Sequence, residues 1–139
     1  HLYEKTRELG FGEEVKRRLS AGSFVLQKGF YDDFYRKAIM LRSLLQKEYK
    51  KLFLNHDLIL MPVAKSTAPL LGSSLSDPLR MYAADLFTVP ANLAGLPAIS
   101  VPYGADAKGL PIGIQLVADR YREDLLLSVS RVLSKGNEA

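Results

Sequence analysis

Residues 85–102 read DLFTVPANLAGLPAISVP, and residues 109–118 read GLPIGIQLVA. The second stretch, apolar and bounded by Gly109 and Pro111, reads as a strand, and AISVP from Ala98 to Pro102 reads as another. YGADAKGLP between them is rich in turn formers and makes the connection. TVPANLAG reads as a helical turn or two ending at Gly95, because glycine alone takes the left-handed closing conformation without a Cβ penalty. Just upstream, Leu79 to Leu86 suits a short helix with Asp77 as its cap and Pro78 at its first position. Downstream, Tyr121 to Lys135 carries Leu125, Leu126, Val129, Val132 and Leu133 on one face, which predicts a terminal helix packed on the sheet.

Further toward the N-terminus, Val15, Leu19 and Leu26 recur near helical spacing, and Glu13 and Glu14 sit where a helix start favours negative charge. A helix is expected from Gly12 to about Gln27. After Gly29, the positions Tyr31, Phe34, Tyr35, Ala38, Leu41, Leu45, Tyr49, Leu52 and Phe53 advance by threes and fours, the mark of a long amphipathic helix. LILMPV then reads as a short buried strand stopped at Pro62, and Ala64 to Pro78 is a Ser/Pro/Gly-rich loop. Helices alternating with short strands give an α/β fold, with further strands expected upstream.

Composition narrows the function classes. With 139 residues, 47% of them hydrophobic, the chain can build a core of ordinary size. Its longest nearly uncharged apolar stretch, Leu58 to Ala64, is far short of the roughly 20 residues a membrane-spanning helix needs, and no signal-peptide pattern opens the chain. A soluble, cytoplasmic protein is the expectation. With no cysteine there is no disulfide and no thiolate metal site, and only His1 and His56 could offer imidazole. No metal site is therefore expected. The net charge of +4 is mild, and Lys28, Arg36, Lys37, Arg42, Lys47, Lys50 and Lys51 alternate with Asp32, Asp33 and Glu48, a pattern of a solvated face rather than an RNA-facing stripe. The chain opens at His1 in LYEKTRELG, which reads as the middle or end of a helix, so a piece of a longer polypeptide is expected.

MYAADLFTVPANLAGLPAISVP followed by GLPIGIQLVA resembles the C-terminal part of the amidase-signature family. The upstream GFGEEVKRRLSAGSFVLQKGFYDDFYRKAIMLRSLL narrows the resemblance to the A-subunit branch of the tRNA-dependent amidotransferases, from about Gly10 to Leu133. The resemblance implies a mixed β-sheet flanked by helices, with residues 1–139 forming the C-terminal segment of a single amidase domain. It also implies that the nucleophilic serine, a second serine in a cis peptide and a lysine base lie N-terminal to this segment, so that no catalytic residue is expected within it. It further implies partner B and C subunits, ATP and Mg²⁺ used on the partner side, and ammonia delivered to Glu-tRNA(Gln) or Asp-tRNA(Asn). The chain departs from that branch's usual pattern at Pro62-Val63, at Ala64-Lys65, at Ala118 and in DRYRED.

Selective binding of free glutamine requires a cation for its carboxylate and an anion for its ammonium. Arginine serves the first through paired hydrogen bonds and aspartate the second. The positions matching that branch's glutamine-binding residues are Arg18 and Asp85. Each also has a plainer reading: Arg18, beside Lys16 and Arg17, suits a solvated helix face, and Asp85, between Ala84 and Leu86, suits a capping role. Gly72-Ser73-Ser74 reads as a loop rather than a nucleophile segment. Lys65-Ser66 lacks the burial a Ser/Lys dyad needs, and His56-Asp57 suits a helix-end or solvent-exposed role more than a catalytic pair. Two alternatives to glutamine hydrolysis are an amidase for another small amide and a non-catalytic module that binds a partner protein or tRNA.

Overall fold

Strand pairing places PIGIQLVA at the centre. In the computed structural model, which describes residues 1–73 and 82–136, the sheet has the order β1-β3-β2. Strand β1 is Leu58–Pro62, β2 is Ala98–Ala105 and β3 is Pro111–Ala118. Both pairings are antiparallel, with Leu60 opposite Leu116 and Val101 opposite Ile114. Alternation along β3 sends Ile114, Leu116 and Ala118 to one face, where they form the core with Val101 and with Leu126 of the terminal helix Glu123–Gly136. Gln115 and Val117 point to the other face and are buried as well, so the central strand has both sides covered.

The chain divides into two compact units, His1–Leu41 and Arg42–Ala139. The first contains α1 (Leu2–Gly10), α2 (Glu13–Val25) and a π-helical segment, Tyr31–Arg36, that leads into α3 (Lys37–Leu52), whose later turns belong to the second unit. The expected long helix is therefore present, but it opens with wider turns, which a count of threes and fours cannot detect. Phe24, Phe30 and Phe34 cluster there, with Phe24 and Phe30 centroids 4.2 Å apart. Ion pairs Arg36–Asp32, Lys37–Asp33 and Lys51–Glu48 agree with a solvated, charge-alternating surface. The second unit adds the sheet, α4 (Val89–Ala94) and α5 (Glu123–Gly136).

Three expectations need correction. Strand LILMP is not buried: it lies at the edge of the described sheet, and Leu60 is 61% exposed although it pairs with the buried Leu116 on the core face, because an edge strand has a covering neighbour on one side only. Strand β2 runs on past Pro102 to Ala105 through a register shift between Pro102 and Gly104, so the turn shrinks to Asp106–Leu110. On α5, Val132 is 71% exposed and Ser130 is buried instead. Successive residues turn by about 100°, which swings Val132 away from Leu126 and brings Ser130 close to it. The Ser130 hydroxyl is satisfied by donating to the Leu127 carbonyl at 3.0 Å. The short helix expected from Leu79 to Leu86 is helical over 82–84, whereas Asp77, Pro78 and the residues to Met81 lie outside the described residues.

Two contacts lock the hairpin and the edge strand. A Cβ at Gly113 would come within 2.9 Å of Val63 Cγ1, so the close approach of the chain after Pro62 to β3 requires glycine there. Asp106 closes the β2–β3 turn by accepting the N–H groups of Lys108 and Leu110 at 2.8 and 2.9 Å, and it accepts the Thr67 hydroxyl at 2.9 Å. The Leu110 N–H chiefly, with those of Lys108 and the Thr67 hydroxyl, holds the Asp106 carboxyl below the ordinary carboxylate range against the opposing pull of desolvation. A depressed folded pKa means that this carboxylate stabilises the fold above its unfolded pKa, and that the contribution disappears as pH falls through the folded value. The difference in thermal midpoint between the unaltered protein and Asp106→Asn should thus be level above about pH 5 and shrink below about pH 4. A difference that stays constant down to about pH 2 would refute this role.

Candidate functional site

Asp85 stands at the turn before α4. Its N–H donates to the Tyr82 carbonyl, and its own carbonyl accepts the N–H groups of Thr88 and Val89 at 3.2 and 3.0 Å, together with the Thr88 hydroxyl at 3.3 Å. The backbone is thus tied on both sides while the side chain is exposed. Among the described residues no hydrogen bond or ion pair engages the Asp85 carboxylate. The apolar neighbours in the sequence therefore do not bury it, and the desolvation cost expected of such a setting does not arise.

The segment that carries Asp85 is held by one side chain from the distant β3 and one from the adjoining α4. From β3, the Gln115 amide donates to the Phe87 carbonyl at 3.0 Å, and the Asn92 amide donates to the Thr88 carbonyl at 3.0 Å. At the far end, α4 stops at Gly95, whose φ of 71° and ψ of 44° place it in the left-handed region. The Gly95 and Leu96 N–H groups return to the Asn92 and Ala91 carbonyls, closing a Schellman-type end. The last carbonyls of the helix are then capped from outside. Arg42 Nε donates to the Leu93 oxygen at 2.8 Å, while Gln46 Nε2 and Arg120 Nη2 donate to the Ala94 oxygen at 3.4 and 3.0 Å. Cations at the carbonyl end of a helix also suit its dipole. Beside this end lies a cleft of about 450 Å³, lined by Arg42, Gln46, Gly95, Arg120, Tyr121 and Glu123 among others. Asp85 is not part of that cleft.

Arg18 belongs to the first compact unit, on α2. Its Nε donates to Glu14 Oε1 at 2.9 Å, and the other oxygen of the same carboxylate accepts Arg17 Nη1 at 2.8 Å. Its side chain is 58% exposed, so this exposed pair holds the guanidinium in place without burying it. Arg18 and Asp85 fall in different units, and each has the setting just given.

The remaining motifs form no catalytic constellation among the described residues. The Ser66 hydroxyl donates to the Thr67 carbonyl rather than to Lys65, and Ser73 donates to the Leu70 carbonyl in a turn where Gly72 has a φ of 80°. Ser74 lies outside the described residues. His56 is exposed at the end of the long helix, with its N–H on the Leu52 carbonyl. No group of three or more His, Cys, Asp and Glu side chains gathers to hold a metal ion among the described residues, and no helix among them is long and apolar enough to cross a membrane. Sequence reasoning missed Arg42, Gln46, Arg120 and Gln115. Only Gln115 carried a signal, as the single amide in an otherwise apolar strand.

Comparison with known proteins gives this geometry a family context. The family model described as Amidase matches residues 1–127. The A subunit of a glutamyl-tRNA(Gln) amidotransferase from Lachnospira eligens is 53% identical over 127 residues, covering 91% of this chain and 26% of that protein. The crystal structure of the corresponding A subunit of the glutamyl-tRNA(Gln) amidotransferase from Thermotoga maritima superposes with a TM-score of 0.65 at 42% identity, over 87% of this chain and 26% of that one. The crystal structure of an amidase gives a TM-score of 0.70 at 26% identity, over 91% of this chain and 29% of that one. The chain thus spans about a quarter of the length of the relatives it matches.

Proposed function

The chain belongs to the amidase family, and from that membership we propose that it supplies the glutamine-binding side of the A subunit of a tRNA-dependent amidotransferase. Arg18 holds the α-carboxylate of glutamine and Asp85 its α-ammonium. The observation that carries this reading is the Asp85 carboxylate: exposed, without a described partner, and set on a turn whose backbone is tied by Gln115 and by its own hydrogen bonds. A charged group carried in the open on a tethered backbone can receive an ammonium with little rearrangement of the chain.

Within the complete enzyme, a serine outside this chain attacks the amide carbonyl, releases ammonia and forms an acyl-enzyme that water resolves to glutamate. The ammonia passes to the partner side, formed with B and C subunits in the cytoplasm, where ATP and Mg²⁺ activate Glu-tRNA(Gln) or Asp-tRNA(Asn) as a ligase step. The 53% identity to the A subunit of such an amidotransferase supports this assignment over the other amidases.

A substrate panel tests it. The complete enzyme carrying this sequence, assayed with its partner subunits, should prefer glutamine to simple aliphatic and aryl amides by more than about a hundredfold in kcat/KM, because two charge-assisted contacts are lost with the simpler amides. Equal or better turnover of the simple amides would make it an amidase for another substrate. Absence of all amide hydrolysis, with salt-sensitive tRNA binding, would make it a binding module.

A further inference from the structure

We propose that Gln115, assisted by Asn92, is a positioning residue for recognition of the substrate ammonium, acting through Asp85; this rests on the glutamine-binding reading of Asp85. Gln115 is 4% exposed in the middle of the central strand, among Ile114, Leu116 and Val117. A buried amide in such a strand is costly unless its hydrogen bonds are made. Its NH₂ group makes one to the Phe87 carbonyl at 3.0 Å. A carbonyl accepts only, so the donor end of the amide must face it.

Phe87 is two residues past Asp85 and lies inside the turn that the Asp85 carbonyl closes with Thr88 and Val89. Asn92 holds the next carbonyl, that of Thr88, at 3.0 Å. Two consecutive peptide oxygens of the Asp85 turn are therefore fixed by side-chain amides, one from the sheet and one from α4. The Asp85 side chain is left exposed, so what these bonds fix is the backbone from which the carboxylate departs. Rotation of the Phe87 peptide would shift the turn from which the carboxylate departs while leaving the core face of Ile114, Leu116 and Ala118 intact. The function of this buried polar contact is to orient Asp85, while the opposite face of the same strand supplies stability.

The experiment measures kcat and KM in the complete enzyme for glutamine and for glutarate monoamide, which is glutamine without its α-ammonium. Gln115→Met keeps the volume and removes the donor. Its KM for glutamine should rise about three- to tenfold, the size of one lost hydrogen bond, while kcat for glutamine and kcat/KM for glutarate monoamide stay within about twofold. Added to Asp85→Ala, it should cause no further rise, because the two act on one contact. Asn92→Ala, a change at an exposed position, should move glutamine KM in the same direction and keeps the test decisive if Gln115→Met does not fold. Equal losses on both amides, or full additivity with Asp85→Ala, would show a merely structural role and overturn the proposal. If Asp85→Ala raises glutamine KM but Gln115→Met and Asn92→Ala do not, positioning fails and the ammonium reading survives. If Asp85→Ala itself changes nothing, the reading fails and the positioning role falls with it.

Discussion

Asp85→Ala should raise the KM for glutamine about ten- to a hundredfold, with kcat changed far less. A hydrogen bond between charged groups contributes about 1.5–3 kcal/mol, and each 1.4 kcal/mol is a factor of ten. The contact lies at the α-ammonium, away from the amide being cleaved, and is equally present before and in the transition state. Its loss therefore appears in KM rather than in kcat. Because the side chain is exposed and no described residue pairs with it, the substitution should leave the unfolding midpoint nearly unchanged, within about 0.5 kcal/mol of stability. Steady-state glutaminase kinetics beside a denaturation curve make the check. Unaltered glutamine kinetics would remove Asp85 from the site, and a collapse in stability would return it to a structural role.

The largest stability effect is expected at Leu116→Ala. Leu116 is 2% exposed at the centre of the middle strand and packs in the cluster of Val101, Ile114, Ala118 and Leu126. Neighbours fixed by a sheet cannot collapse fully into the space left, so lost burial and a residual cavity add to about 2–5 kcal/mol. A lowered urea midpoint with an unchanged slope would record it. Val132→Ala is the matching control, since that side chain is 71% exposed and its removal should cost little. A Leu116→Ala midpoint within error of the control would mean that the sheet face toward α5 is not the seat of stability.

Much of the fold was legible because periodicity is a local property. PIGIQLVA had to be a strand from its composition, Gly95 had to end a helix because the left-handed turn favours glycine, and both appear as expected. What periodicity could not rank was exposure. LILMP looks as buried as β3, yet it is an edge strand, and Val132 looks as inward as Val129, yet it faces solvent. Only neighbours distinguish these, and neighbours are not written in a local window.

The sequence by itself determined the central strand, the helix that ends at Gly95, the terminal helix and, through its likeness to amidases, the two candidate residues Arg18 and Asp85. The tertiary structure alone decided that Asp85 is exposed on a tethered turn, and that Gln115 reaches a carbonyl 28 positions away while Arg42, Gln46 and Arg120 cap a helix lying 26 to 51 positions from them. The physical reason is that backbone carbonyls are identical in every sequence: which one needs an outside donor is known only once the chain has folded and placed it beyond the reach of water or of its own helix.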